Sequence, residues 1–424
     1  MPSDYLDNVA IVGAGLGGCA LALDLTLRGI PVTVFESRSV ASGAIPSGVI
    51  LTPNGIRVLD HLGVLDRVRD RCYVPEYRIF IDDEDRITKK VPIDDQYGYR
   101  NLRIWRGVLL DEMRRMLQER SVVVQHDSRF NGVVSDSDNG VTFLINEEVH
   151  HASLLMGSDG IYSSVRRHLA PDTAPEYTGL IGILGHIKRS SVEWPYEEYP
   201  KNATIQSKPG AIFWIAEDPA GEELMIGKQI NSPEQSREEL DRLQADPERL
   251  AEIYLKDYND YGPTAKKIID SVCASKEQLY AWPFMKMPKL PHWYSETGRI
   301  ILVGDSVHAL PPSSGQGVNQ ALEDVYSLTL LLTELRDEQG EETADSQRAD
   351  HLAALTFWQR TRQVRIDAVF DWTVNGSNVS RLPEAERKKL IAEGKVKEGQ
   401  GDDMGWLYRP VLDEAIHNWL KNRS

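Results

Sequence analysis

Val9-Ala10-Ile11-Val12-Gly13-Ala14-Gly15-Leu16-Gly17-Gly18 decides the fold class. The first four residues are apolar and β-branched, which reads as a fully buried parallel strand running into a turn. The next six fit GxGxxG. Glycines there permit a tight turn and let bare backbone approach a pyrophosphate, while the helix opening behind them supplies unpaired N–H donors and positive potential. Ala20, Leu21, Leu23, Leu25 and Leu27 populate that helix, Gly29 terminates it, and Val32-Thr33-Val34-Phe35 is the next strand. Glu36 closes that strand roughly 20 residues on, where a carboxylate can accept both hydroxyls of an adenosine ribose. Tight packing alone would explain the glycines, and a solvated strand end would explain Glu36; their spacing favours a nucleotide.

The chain around this unit has 424 residues, too long for one core, so more than one packed lobe is expected. Its 48 Lys and Arg against 64 Asp and Glu leave a net charge of −16, a field that repels nucleic-acid phosphates and anionic lipid. The three cysteines, Cys19, Cys72 and Cys273, stand far apart, which excludes a disulfide framework and the common structural zinc sites and points to a reduced, cytoplasmic protein with no metal. Cys19 itself reads as a small buried hydrophobe. No uncharged apolar run reaches about 18 residues, and Met1 to Asn8 lacks the positive charge of a signal peptide, so neither membrane span nor secretion is expected.

Farther along, residues 78–93 read as two alternating strands around the acidic turn Asp82 to Asp85, and residues 107–119 as a helix with Val108, Leu109, Met113, Met116 and Leu117 on one face. Residues 177–282 change to separated strand pieces (180–187, 211–216, 224–230) with one polar helical stretch between Pro233 and Tyr258, a separate sheet-based lobe. A buried strand returns at Arg299 to Val303, followed by a long helix marked by Val318, Leu322, Val325, Leu328 and Leu332. Residues 337–350 and 384–405 are polar and read as exposed connectors around short helices.

Gly304-Asp305 follows that returning strand, with His308, Pro312 and Gly315-Gln316-Gly317 leading into the long helix. A carboxylate there can hold a chain of sugar-like hydroxyls, and a helix start beside a redox ring can stabilise negative charge. Two ligand-facing helix ends exceed what a nicotinamide dinucleotide needs. Here the sequence resembles the FAD-dependent aromatic monooxygenases of the para-hydroxybenzoate hydroxylase and salicylate hydroxylase type: Gly304 to Leu328, GDSVHALPPSSGQGVNQALEDVYSL, is close to their second flavin motif. Gly157 to Arg166, GSDGIYSSVR, resembles their DG motif, associated with flavin and nicotinamide binding, and Ser47 to Gly55, SGVILTPNG, resembles the segment after the ribose-binding Glu.

The resemblance implies an α/β fold with a Rossmann-like FAD-binding domain (1–75, 100–178 and 283–335), a β-sheet substrate domain (76–99 and 179–282) and a helical C-terminal region (336–424). It implies FAD bound extended, its adenosine at Glu36, its pyrophosphate over Gly13, Gly15 and Gly18, and its ribityl chain at Asp305. Gly48, Val49, Arg106, Asp159 and Arg166 join the cofactor-binding positions. Pro312, Gly315, Gly317, Val318 and Asn319 line the flavin ring, Pro312 and Gly315 nearest the chemistry. NADPH or NADH would serve as transient reductant and O2 as oxidant, giving a C4a-hydroperoxyflavin that hydroxylates or epoxidises an electron-rich aromatic or heteroaromatic small molecule in specialised metabolism. Tyr177-Thr178-Gly179 matches, but Leu184 stands where many relatives carry an arginine, which argues against a carboxylate substrate; the WxWxIP motif of flavin halogenases is missing.

His186, on a strand of the second lobe, could activate a phenol or an indole N–H, although a structural histidine is the plainer reading. His308 reads as a loop-fixing group. Phe213, Trp214, Trp282 and Phe284 could wall a flat substrate, yet aromatics at strand spacing are as often core. A flavin oxidase or dehydrogenase, and a FAD-binding redox-responsive interaction protein, stay open beside the monooxygenase. The oligomeric state is not legible in the sequence.

Overall fold

A computed structural model describes residues 4–40, 47–338, 343–395 and 403–423. Val9–Val12 is buried at every residue and lies inside a five-stranded parallel sheet. The strand order is Ile300–Leu302, Leu154–Gly157, Val9–Val12, Val32–Phe35, Val124–Gln125. The first crossover helix, Leu16–Leu27, is apolar apart from Thr26 and the buried Asp24, because it packs between the sheet and helices Arg106–Glu119 and Gly317–Glu338. It stops where Gly29 turns left-handed (φ +73°), with Gly29 donating to the Thr26 carbonyl and Ile30 to the Leu25 carbonyl. A small antiparallel sheet (Phe130–Ser137, Gly140–Ile145, Glu148–Ala152) and the pair Gly48–Leu51 with Leu102–Trp105 complete this lobe.

The second lobe is a seven-stranded sheet in the order Tyr280–Lys286, Glu176–Lys188, Glu223–Asn231, Ile212–Ala216, Asn202–Ile205, Tyr77–Ile81, Ile87–Pro92. One face carries Ile183, Ile212, Trp214 and Ile226 into a core of their own with Leu250, Ile268 and Val272 of the covering helices. The opposite face turns toward the parallel-sheet lobe: Arg103 on the strand Leu102–Trp105 bonds to Glu217, and the Trp105 ring meets that of His186.

Two expectations need correction. The polar stretch after Pro233 becomes two helices, Arg237–Gln244 and Pro247–Leu255, and a third, Pro263–Ala274, was not anticipated. Its apolar face (Ala265, Ile268, Ile269, Val272) is plain at helical spacing, but its neighbours read as strand. The acidic stretch 337–350 is not simply a connector: residues 344–350 open a 29-residue helix, Ala344–Trp372, capped by the Thr343 side chain. Within 384–405, Glu384–Ala392 is helical. Residues 339–342 and 396–402 lie outside the described residues.

Candidate functional site

Neighbouring parallel strands end side by side, and each delivers a motif. Val9–Val12 runs into Gly13, Val32–Phe35 into Glu36, Leu154–Gly157 into Ser158-Asp159, and Ile300–Leu302 into Gly304-Asp305. Open parallel sheets bind ligands at these carboxyl ends.

The glycine turn is built for close approach. Gly13 has φ +103°, and a Cβ there would stand 2.4 Å from the Ser158 carbonyl oxygen. A Cβ on Gly18 would lie 1.9 Å from the Gly13 carbonyl oxygen, so the helix sits directly on the turn; at Gly15 nothing lies within 4 Å. Gly15 is also the N-cap and offers no side-chain acceptor, which leaves the first-turn amides available to a ligand. Glu36 is half-buried at the mouth of this turn, its Oε2 accepting the Ala14 amide at 2.9 Å and its Oε1 the Arg38 amide at 2.9 Å.

Asp305 is open to solvent yet walled by protein, the position of a carboxylate on the floor of a cleft. No donor among the described residues reaches it. Enclosure raises its carboxyl above the ordinary range, against the pull of His308 and Arg106. Arg106 heads the helix Arg106–Glu119, with its amide on the Ser47 carbonyl at 2.8 Å and Nε on the Ser47 hydroxyl at 3.3 Å; burial lowers its guanidinium, and Asp305 opposes this. Gly317 faces the same carboxylate, a Cβ there standing 3.7 Å from Asp305 Oδ1. Gly315 is left-handed (φ +62°) and open apart from the Ile50 tip at 4.0 Å. Pro312 opens the turn Pro312–Ser314, and Val318 is half-buried in the first turn of the long helix.

Other predicted positions are engaged with protein. Asn319 is fully buried: its amide nitrogen donates to the carbonyls of Ile50 (3.0 Å) and Gly315 (2.9 Å), and its oxygen accepts the Thr52 amide (3.0 Å). It therefore clamps the strand Gly48–Leu51 to the long helix. Asp159 caps the helix Ser164–Leu169 through the amides of Ser164 (2.6 Å) and Val165 (3.2 Å), and buried Arg166 donates to the Ser306 carbonyl at 2.9 Å, tying the DG segment to the Asp305 turn. Val49 points into the core, while Gly48 presses its backbone against Glu217, whose Oε2 would stand 1.8 Å from a Cβ. His308 holds Asp324 at 2.5 Å, and Asp324 also accepts the Gly304 amide (2.8 Å) and Arg362 Nε (2.7 Å). Arg362 in turn meets Glu323, which Arg365 holds at 2.7 Å. This paired buried network fixes the second turn from behind.

On the second lobe, the aromatic candidates divide by strand parity. Trp214 is a correction: it is 2% exposed on the helix-covered face, its indole N–H on the Pro200 carbonyl at 2.8 Å, and it cannot reach the inter-lobe side. Phe213 lies on the inter-lobe face with its ring over Gly227; Phe284 covers Gly182 on that face, and Trp282 leans on Tyr280 at 6.3 Å between centroids. His186 is buried there between Trp105 (4.8 Å) and Tyr280 (6.0 Å). Neither ring nitrogen has a hydrogen-bond partner among the described residues, and Nε2 is 3.7 Å from Glu217. Burial would raise Glu217, but Arg103 (2.8 Å) and His186 hold its carboxyl below the ordinary range. The Tyr280 hydroxyl is likewise unpartnered, and burial pushes it well above the usual phenol value. Sequence reasoning passed over Arg103 and Glu217; an arginine inside the apolar strand Leu102–Trp105 was the available signal.

At the edge of the same sheet, a cavity of about 260 Å³ is lined by Tyr162, Tyr177, Ile181, Arg237, Pro283 and Met285, with the Arg237 guanidinium 5.6 Å over the Tyr162 ring. Among the described residues, no helix is long and apolar enough to cross a membrane, and no cluster of His, Cys, Asp or Glu is arranged to hold a metal.

The profile of a family described as "FAD binding domain" matches residues 7–358. FAD-dependent monooxygenase OpS4 of Beauveria bassiana is 25% identical over 97% of both chains. The 3-amino-4-hydroxybenzoate 2-monooxygenase PtmB3 of Streptomyces platensis is 25% identical over 96% of both. Among solved structures, CtdE in complex with FAD and a substrate superposes with a TM-score of 0.78 over 98% of both chains, at 17% identity.

Proposed function

The chain belongs to the FAD binding domain family, the family of the FAD-dependent aromatic monooxygenases, and we propose that it uses FAD, NAD(P)H and O2 to insert one oxygen atom into an electron-rich aromatic small molecule. The observation that carries this reading is the convergence of the Gly13 and Gly304 turns at the ends of strands in one parallel sheet, with open space at Gly15 and an unsatisfied carboxylate at Asp305. The residues fit the cofactor: a helix N-terminus without a cap of its own for the pyrophosphate, Glu36 for the ribose, and Asp305 for a polyol chain.

When bound, FAD would supply the redox chemistry, taking electrons from NAD(P)H and activating O2 for transfer of one oxygen atom to the substrate. The chain's own part is to bind, orient and exclude water. Gly15 would leave a pyrophosphate unobstructed, Asp305 and Arg106 would hold the middle of the cofactor, and the amide end of Gly317–Glu338 would bring positive potential to the same place. His186 is the base placed on the inter-lobe face, with Glu217 and Arg103 behind it, and takes a proton from the substrate hydroxyl or N–H. The same proposal keeps 1–75, 100–178 and 283–335 as the FAD domain, 76–99 and 179–282 as the substrate domain, and 336–424 as the helical C-terminal region. Names of relatives such as 3-amino-4-hydroxybenzoate 2-monooxygenase support an aromatic substrate.

The test is direct. The purified chain is expected to be yellow and to oxidise NADPH or NADH at least about tenfold faster with one member of a phenol, indole and aromatic-acid panel than without, releasing a product one oxygen heavier. A chain that stays colourless after incubation with FAD overturns the reading; flavin-loaded protein that no panel member stimulates overturns the monooxygenase part of it.

A further inference from the structure

Met225 stands apart from the other described methionines. Met113, Met116 and Met156 are packed in the core of the parallel-sheet lobe, Met404 in a small C-terminal cluster, and Met285 and Met287 lie on and just past the strand Tyr280–Lys286. Met225 is 9% exposed, yet it belongs to no apolar core among the described residues. Its neighbours on the strand Glu223–Asn231, Leu224 and Ile226, point into the helix-covered core, so alternation turns Met225 to the inter-lobe face, where it pairs with His186 of the adjacent strand. There its Sδ lies 3.2 Å from Arg103 Nη2, the same nitrogen that donates to Glu217 Oε1 at 2.5 Å. The group borders the cofactor cleft: Arg106 is within electrostatic reach of Asp305 on the cofactor side and of Arg103 and Tyr280 on this one.

A thioether sulfur carries two lone pairs and attacks peroxide oxygen. The Arg103 guanidinium engages one pair and leaves the other for an incoming oxygen. The oxidant follows from the monooxygenase reading. O2 that takes two electrons from reduced FAD with no substrate in the cleft, together with two protons, leaves as hydrogen peroxide between the lobes.

We propose that Met225 is an oxidation site that arrests turnover in the absence of substrate. Its sulfur gives up two electrons and gains an S–O bond, the O–O bond of hydrogen peroxide breaks, and the second oxygen departs with both protons as water. The sulfoxide oxygen is a stronger acceptor than the thioether and draws Arg103 Nη2 away from Glu217, which leaves a buried carboxylate half-paired beside His186. This rests on the monooxygenase reading and adds a regulation of the same site.

The test compares two sources of peroxide on the FAD-loaded protein: NADPH or NADH in air without substrate, and hydrogen peroxide added from solution. Peptide mass spectrometry reads the sulfoxide at Met225 and at the more exposed Met285. Substrate-free turnover is expected to raise the ratio of Met225 to Met285 sulfoxide at least about tenfold over added peroxide, because the oxidant forms beside Met225. Met225→Leu, a swap of similar volume, is expected to keep at least about tenfold more of its starting product-forming activity than wild type after the same substrate-free cycles. Equal ratios from the two sources, or equal decay of variant and wild type, overturn the proposal. If Met225→Leu does not hold FAD, the wild-type ratio decides. Photoreduction of the bound flavin with EDTA as electron donor, followed by air, separates this result from the reading beneath it. Met225 sulfoxide formed that way in protein that never oxidises NAD(P)H counts against the monooxygenase, not the oxidation site; a chain that takes up no FAD overturns both.

Discussion

Gly15 and Gly18, on the same turn, have opposite surroundings: a Cβ on Gly18 would strike the Gly13 carbonyl oxygen at 1.9 Å, and one on Gly15 would meet nothing within 4 Å. Gly18 is demanded by folding and Gly15 by a ligand. Gly18→Ala is therefore expected to cost about 3 kcal/mol, because the obstacle is backbone that cannot rotate away. Gly15→Ala should leave the flavin-free protein within about 1 kcal/mol of wild type and weaken FAD at least about tenfold. Urea denaturation and FAD titration of both variants check this; equal loss of stability would remove Gly15 from the cofactor site.

Asp305 should reveal itself by effects of opposite sign. Its carboxyl is raised by enclosure, so without a ligand the ionised group opposes folding at neutral pH: the folded state holds the proton more strongly than the unfolded one, and this contribution is lost as pH rises past the ordinary carboxylate value. Asp305→Asn is expected to leave flavin-free protein as stable as wild type or more so, while lowering FAD affinity about ten- to a hundredfold, the worth of charged hydrogen bonds. Thermal melts with and without FAD test both halves. A variant that melts lower without FAD and retains it normally would make Asp305 structural.

Phe213 and Trp214 are adjacent but face opposite ways, and the same substitution chemistry should separate them. Trp214→Phe loses the bond to the Pro200 carbonyl and leaves a buried gap, at about 2 kcal/mol of stability, with KM little changed. Phe213→Ala should cost less stability and raise KM about tenfold for whichever aromatic substrate most stimulates NAD(P)H oxidation. Matching effects on KM would place both residues outside the substrate cleft.

That pair also marks the boundary of what the sequence discloses. The strand Val9–Val12, the glycine turn and Glu36 are legible because strand, turn and helix are consecutive and each leaves a local signature. The Asp305 turn is legible only through its similarity to a known motif. Which face of the second sheet looks inward depends on strand pairing across distant residues, such as Phe213 opposite Gly227 and Gly182 opposite Trp282, so Trp214 passed as a wall candidate. Helix Ala344–Trp372 was obscured by a polar first turn, which is ordinary where a helix begins at the surface.

His351 predicts a pH dependence. It lies on the helix Ala344–Trp372, is 3% exposed, stacks on Tyr5 at 3.6 Å and donates from Nε2 to the Gly298 carbonyl at 3.0 Å, bracing the loop before the strand Ile300–Leu302. Burial lowers its pKa from 6.5 to about 4, with Arg299 acting the same way. Between those values the unfolded chain takes up a proton that the folded chain refuses, so stability rises with pH across the window and is lost as pH falls from about 6.5 toward 4, by roughly 3 kcal/mol in all. His351→Gln keeps an amide donor for Gly298 but has nothing to titrate. At pH 7 the variant should be less stable than wild type by about 1–2 kcal/mol for the lost ring stacking, and that gap should narrow or reverse by about pH 4.5. The comparison cancels the carboxylates common to both proteins, so urea midpoints at the two pH values isolate the histidine. A gap that stays constant would mean that His351 takes up its proton as readily in the folded state as in the unfolded one, and with it the brace on Gly298 would have to be drawn differently.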